Sequence, residues 1–335
     1  MKSKKAQVEV QFNWIYVSIA GAVILSIFVG IALKMNQNSK EQLASEAITY
    51  FDEIFTSVQA SENTENEISL PGLDLEIESD NPICNHYSIE GTDRSQISIR
   101  FLPFFSPRII KTRILSYALG WDMPFRVSYF IYMTSPGVAY VSVGNNAIRD
   151  ELPEHLTVLE VNDASDLENE NYDRIRFFTS EDPSSFNVDD TVEKNKFVSV
   201  IKINQEANEI TYYKLKSGEF EEQDTTYYLD DTTLLAAIYA DNVDSYNCNM
   251  AKAIERLHRF STMLKNRASE LRGADLLSLC SPDAYSQAES MLTQMEEATE
   301  STKMDASMVS QLKTIREQLS VLNKDLNKRS CPTVY

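Results

Sequence analysis

From Phe12 to Leu33 the chain runs for 22 residues without a charge. A bilayer hydrocarbon core about 30 Å thick takes roughly 20 apolar residues of helix, so this run is long enough to span one. A soluble buried helix of that length ordinarily keeps a charged face, and this run has none. A cleaved secretory signal has about 7–15 apolar residues followed by a small-residue cleavage site. This stretch is longer and ends in Leu33-Lys34-Met35. The pattern predicts a basic cytoplasmic stub over 1–11 and a transmembrane helix over 12–35.

Orientation follows from the flanks. Lys2, Lys4 and Lys5 precede the run, while Lys34 and Lys40 follow it, which favours the N-terminus inside. The expectation is a single-pass protein of the cell membrane with an extracellular C-terminal domain. The residues up to Met35 are net positive, so the exterior part is more acidic than the whole chain's −19. So acidic a surface repels nucleic acid and anionic headgroups and excludes nucleic acid as a partner. It leaves the bilayer, a second copy of the chain or other membrane helices as partners.

Cys84, Cys248, Cys280 and Cys331 all fall on the exterior side, and none sits in a C-x-x-C pair. An even number outside the cytoplasm points to two disulfides rather than zinc or redox chemistry, with three connectivities open. No N-x-[ST] acceptor occurs.

The start, Lys4-Lys5-Ala6-Gln7-Val8-Glu9-Val10-Gln11-Phe12, resembles the class III signal of archaeal type IV pilin-like proteins. That family carries a glutamate five positions after the cut; for a cut after Ala6, Glu9 is third and Gln11 is fifth. Ser18, Ala22, Ser26 and Gly30 recur every four residues and make a small-residue face on which another helix can pack closely. Beyond the membrane, Leu43, Ala47, Phe51, Ile54, Phe55 and Val58 keep a helical period through Asn36–Ala60, predicting a stalk over 36–67.

Residues 68–245 read as an α/β ectodomain. Ile68–Leu70, Leu73–Ile77 and Ile97–Leu102 are strand-like, and the proline- and aromatic-rich Phe101–Phe125 reads as a packed connector. Phe125–Met133, Ala139–Val143, Thr157–Val161, Arg174–Thr179, Phe197–Ile203 and Ile210–Leu215 predict strands, with a short helix over Ala147–His155 and a hairpin turn at Asn204–Glu209. That order implies a partly parallel mixed sheet with an antiparallel edge hairpin.

Residues 246–335 read as a helical bundle or coiled-coil hairpin. Met250, Ile254, Leu257, Leu264, Ala268 and Leu271 make one stripe, and Ala284, Ala288, Met291, Met295 and Ala298 a second. Met308, Leu312, Ile315, Leu319, Leu322 and Leu326 follow 4-3-4-3-4 spacing, a coiled-coil seam. If three helices alternate in direction, Cys331 returns to the level of Cys280, which favours Cys280–Cys331 and Cys84–Cys248.

No catalytic, cofactor-binding or metal residue stands out. Gly144 is alone in its strand–helix loop, so no G-x-G-x-x-G or G-x-x-x-x-G-K-[ST] phosphate cradle is formed, and no G-x-S-x-G elbow occurs. His86, His155 and His258 stand apart, without an H-E-x-x-H pattern. Asp74, Glu76, Glu78 and Asp80 alternate onto one strand face; without a glycine-punctuated loop this reads as solvated charge rather than a calcium site.

The segments Gln7–Ile15, Trp121-Asp122-Met123-Pro124-Phe125, Cys248-Asn249-Met250-Ala251-Lys252-Ala253 and Ser330-Cys331-Pro332 together resemble single-span membrane proteins of archaea with reduced genomes. That resemblance implies the topology and an archaeal surface, and brings no activity, ligand or cofactor. The functional expectation is a non-enzymatic, membrane-anchored surface component, pilin-like or a scaffold. The alternative is a sensing module that takes a ligand at the carboxyl ends of the sheet's strands.

Overall fold

The computed structural model describes residues 18–19, 21–31, 33–35, 39, 41–42, 44–46, 49, 65–78, 86–89, 95–97, 102–144, 158–164, 167, 172–186, 197–274 and 280–335. Every described residue before 50 is helical. Among the described residues, no helix is long and apolar enough to cross a membrane. The stalk stripe Leu43, Ala47, Phe51, Ile54, Phe55 and Val58 and the helix expected at Ala147–His155 lie outside the described residues, as does the pilin-like signal.

Two six-stranded sheets follow. The first has the order β3 (Ser95–Ile97), β2 (His86–Ile89), β1 (Glu65–Glu78), β5 (Ile109–Asp122), β6 (Arg126–Thr134) and β4 (Phe104–Phe105). It is antiparallel except for β4 beside β6. The 14-residue β5 is its centre, which corrects the reading of Phe101–Phe125 as a connector. The prolines that suggested irregularity sit outside β5: Pro103 and Pro107 flank β4, and Pro124 turns the chain between β5 and β6. Gly120 lies within β5 because Arg126 crosses it; a Cβ there would stand 2.2 Å from Arg126 Cζ.

The second sheet has the order β12 (Glu219–Tyr227), β11 (Glu209–Lys216), β10 (Phe197–Asn204), β9 (Arg174–Thr179), β7 (Val138–Val143) and β8 (Val158–Val161). Its members β8, β7, β9 and β10 run parallel, and β11–β12 is an antiparallel edge hairpin. The strand pattern implied a partly parallel sheet with an antiparallel hairpin turning at Asn204–Glu209, and β10 and β11 form that hairpin; β12, which the pattern did not include, takes the edge beyond it. Phe125–Met133, expected in this mixed sheet, departs from that plan, because as β6 it completes the first sheet. Its sequence neighbour β7 enters the second after the turn at Ser135-Pro136-Gly137. The β11–β12 turn is built by Ser217 (φ 55°) and Gly218 (φ 86°), the left-handed pair a two-residue hairpin needs.

Helices α1 (Asp231–Tyr239), α2 (Val243–Gly273), α3 (Pro282–Ala298) and α4 (Ala306–Lys328) close the fold. Each begins at a side-chain cap: Asp230 accepts from Thr233 N, Asn242 from Ser245 N, Ser281 from Asp283 N and Asp305 from Met308 N. The three longer helices form the bundle, and the stripes expected on them are buried at Met250, Ile254, Leu257, Leu264, Ala268, Ala288, Met295, Met308, Leu312, Ile315, Leu319 and Leu326. Cys280 and Cys331 are disulfide-bonded, the pairing that alternating helix directions favoured. Cys248 is also in a disulfide, while Cys84 lies outside the described residues.

One apolar cluster runs from Trp121, Phe130 and Tyr132 of the first sheet through α1 to Ile201, Ile203 and Tyr212 of the second and on into the bundle. The other face of the first sheet buries Leu75, Ile110, Ile114, Ile131 and Met133 together with Ala44 of the N-terminal helix, which is 0% exposed.

At the seam stands Arg176, 5% exposed, on the α1 side of β9. Its guanidinium donates to Ser199 Oγ at 3.2 Å, to Ile238 O at 3.0 Å, to Ala240 O and to Asp241 O at 2.5 Å. These carbonyls belong to the end of α1 and the residues after it, where a helix leaves acceptors unpaired and its dipole favours a cation. Asp241 pairs with Arg174, and its Oδ1 accepts from the Arg108 backbone N–H at 3.0 Å. Replacing Arg176 with Leu should destabilise the fold by about 3 kcal/mol or more, because several buried carbonyls lose their donor at roughly 1–3 kcal/mol each. Denaturant unfolding of R176L measures this, and a loss under about 1 kcal/mol would contradict the role given to Arg176.

Candidate functional site

Where the two sheets part, a cavity of about 410 Å³ opens between the amino end of β1, the middle of β5, the β6–β7 turn and the C-terminal end of α1. Its position follows from the topology. The chain leaves the first sheet at Thr134 and enters the second at Val138, so the sheets share a connection but no ladder there.

Tyrosine dominates the walls: Tyr117 from β5, Tyr140 from β7, Tyr172 from just before β9 and Tyr239 from the last turn of α1. Tyr140 and Tyr239 have ring centroids 5.4 Å apart, Tyr239 and Tyr132 5.3 Å, and Tyr132 and Tyr117 6.4 Å, a continuous aromatic seam. Their hydroxyls are used as well. Tyr140 donates to Thr134 Oγ1 at 3.0 Å, and Tyr132 donates to Thr232 O at 2.9 Å. From the second sheet, Tyr212 donates to Ala237 O at 3.0 Å, so α1 is held by phenols from both sides.

Polar groups rim the opening. Asn66, Glu67, Ser116 and Ser135 line it, and Glu67 is paired with Arg113 at 2.8 Å. Asp173 lies close by: a Cβ at Gly137 would meet its Oδ2 at 3.2 Å. Aromatic faces, hydroxyls and a carboxylate supply stacking and hydrogen bonding, the chemistry of recognition. This cavity lies at the amino ends of the parallel strands, opposite to the carboxyl-end crevice that the strand pattern suggested.

Other residues marked in the sequence find different places. Ser18, Ala22, Ser26 and Gly30 are helical and exposed, and a Cβ on Gly30 would meet nothing within 4 Å. Asp74, Glu76 and Glu78 do share a face of β1, with Leu75 and Ile77 buried on the other. Arg108 reaches Glu76 at 3.0 Å and Glu78 at 3.6 Å, which spends that charge on an ion pair; Asp80 lies outside the described residues. Among the described residues no group of three or more His, Cys, Asp or Glu side chains could hold a metal ion. His258 sits between helices, its Nδ1 3.1 Å from Glu296 O and 3.2 Å from Thr299 Oγ1. No local pattern in the sequence sets the tyrosine seam apart. Its members lie on four separate elements, and the signal available was a tyrosine total of 16.

No protein-family model, curated protein or solved structure matches the chain.

Burial raises the ionisation of the Tyr132, Tyr140, Tyr212 and Tyr246 phenols above the ordinary value of 10.0. An acid whose folded pKa is raised contributes full stability below its unfolded value and loses it as pH climbs past that value. Stability should therefore fall from about pH 10 upward, with these phenolates forming only as the fold opens. Ultraviolet titration monitored with circular dichroism checks this. Full ionisation of every tyrosine before any loss of structure would contradict the buried seam.

Proposed function

We propose that the chain is a membrane-anchored surface component of pilin-like plan, held by one N-terminal helix and acting through protein contacts of its ectodomain. The observation that supports this is the exposure of the first helix. Ile19, Val23, Ile24, Leu25, Ile27, Phe28, Val29, Ile31, Leu33 and Met35 are each 50–66% exposed. Consecutive positions from Val23 to Leu25 and from Ile27 to Val29 point in all directions around a helix, so no single protein surface accounts for them. Patches of that size on a soluble surface mark a membrane or a partner. The uncharged run that contains all of them but Met35 is long enough for the bilayer, and the acidic, disulfide-bonded remainder suits an oxidising exterior. Ala44, itself helical, is buried against the first sheet.

Expressed in cells, the protein should stay in the membrane pellet through alkaline carbonate washing. An Ile24→Lys/Phe28→Lys variant should move to the supernatant, since a lysine near the bilayer centre costs about 2.5–3.5 kcal/mol. Release of the unaltered protein by carbonate alone would remove the anchor from the account.

A second reading is favoured by the seam cavity: the ectodomain takes a small aromatic or hydroxylated ligand between its sheets. The volume falls in the range of small-molecule sites, about 300–1,000 Å³, and the wall chemistry fits. Titration with indole and with glucose should move the ring resonances of Tyr117 or Tyr172 in a saturable way. Unmoved resonances with both probes would sink this reading.

A further inference from the structure

One side of α2 carries Lys252, Glu255, Arg256, Arg259, Phe260 and Met263, which line a second cavity of about 410 Å³, with Phe260 also packed against the core at its edge. Their spacing of three, four, seven, eight and eleven residues places them along one side of the helix, while Met250, Ala253, Ile254, Leu257 and Leu264 fill the core on the other. Three cations on one face stand out in a chain of net charge −19.

Their pairing is uneven. Arg259 is bound to Glu255 at 2.5 Å, so that carboxylate is engaged. Lys252 has a buried Nζ with no hydrogen-bond partner among the described residues. Burial alone draws its pKa from 10.5 to about 8, the response of an ammonium that has lost water and gained no counter-charge. Arg256 follows one turn later, with its guanidinium over the Phe260 ring at 5.8 Å. Like charges four residues apart on a helix repel. An ammonium left without a partner is among the costliest arrangements a fold can hold, and an anion shared with Arg256 would relieve both problems. Beyond the cations the surface turns apolar at Phe260 and at Met263, which is 55% exposed.

We infer that this face binds a small anion with an apolar tail, its carboxylate or phosphate head held by Lys252 and Arg256 and its tail lying along Phe260 and Met263. The four-carbon stem of Lys252 lets its ammonium turn outward to meet the head. The site is separate from the tyrosine seam and does not depend on a ligand there.

The test uses the full chain in nanodiscs of uncharged phosphatidylcholine. Hexanoate and hexyl phosphate are the probes, and hexan-1-ol, with the same tail, is the control. At least one anion should bind saturably and at least ten-fold more tightly than the alcohol. Lys252→Met and Arg256→Gln should each weaken that binding at least ten-fold. Without probe, Lys252→Met should raise the unfolding temperature, because it removes an uncompensated buried charge. Equal binding of alcohol and anions, no saturable binding of either anion, or unchanged binding in both variants would overturn the inference. A lower unfolding temperature for Lys252→Met would do the same, since it would mean the protein itself satisfies the ammonium.

Discussion

Arg176 stands between the two halves of the molecule and finishes a helix with its guanidinium. The α1 segment is too short to be stable alone: nine residues form barely two and a half turns, below the length at which isolated helices persist. It exists because its ends and sides are met by others. Asp230 and Thr233 form a capping box at its start, Arg176 receives its terminal carbonyls, and Tyr132 and Tyr212 donate to its backbone from opposite sheets. Asp241, just beyond, joins Arg174 of the second sheet to the Arg108 amide of the first. A buried cation and a nearly buried carboxylate thus fix how the two sheets and α1 fit together. Such groups are costly unless their hydrogen bonds are made, and here Arg176 donates to backbone carbonyls while the Asp241 carboxylate accepts from the Arg108 N–H.

From this junction the rest of the fold follows. The tyrosine seam is the gap left where the sheets diverge around α1, and the bundle extends the same apolar cluster. The C-terminal tail locks back on: Tyr285 donates to Pro332 O at 3.0 Å, Asn323 binds both Val334 N at 2.9 Å and Tyr335 O at 3.0 Å, and the Tyr335 ring lies 5.6 Å from Phe125. The Cys280–Cys331 bond closes that end of the bundle.

Periodicity made the bundle readable, because a stripe repeated over many turns averages out single exceptions. Short runs of β-branched and aromatic residues did the same for β9, β10 and β11, which are buried on both sides over most of β9 and β10 and over the first half of β11. That signal failed at β5, where Pro and Gly at the strand ends and Arg, Lys and Ser on its faces hid a central strand. It failed at β12 for another reason. Glu219, Glu221, Glu222 and Asp224 mark an edge strand whose outward acids guard against pairing with other chains, and that pattern imitates a loop. The α1 helix is nearly all apolar and so carries no amphipathic period, although Asp230 three residues before Thr233 is its start signal. Arg176 could not be singled out from sequence, since a lone arginine in a strand pattern reads as an outward residue. The tyrosine seam and the Lys252 face required tertiary placement.

The proposed membrane anchoring rests on the first helix, whose described apolar side chains are exposed in all directions, and on the acidic charge of the chain. Topology is its most direct test. In sealed right-side-out vesicles, a membrane-impermeant lysine reagent should modify Lys216, whose side chain is 68% exposed, and leave Lys4 and Lys5 unmodified until the vesicles are opened. Modification of Lys4 and Lys5 with Lys216 protected, or of all three alike in intact vesicles, would contradict the account.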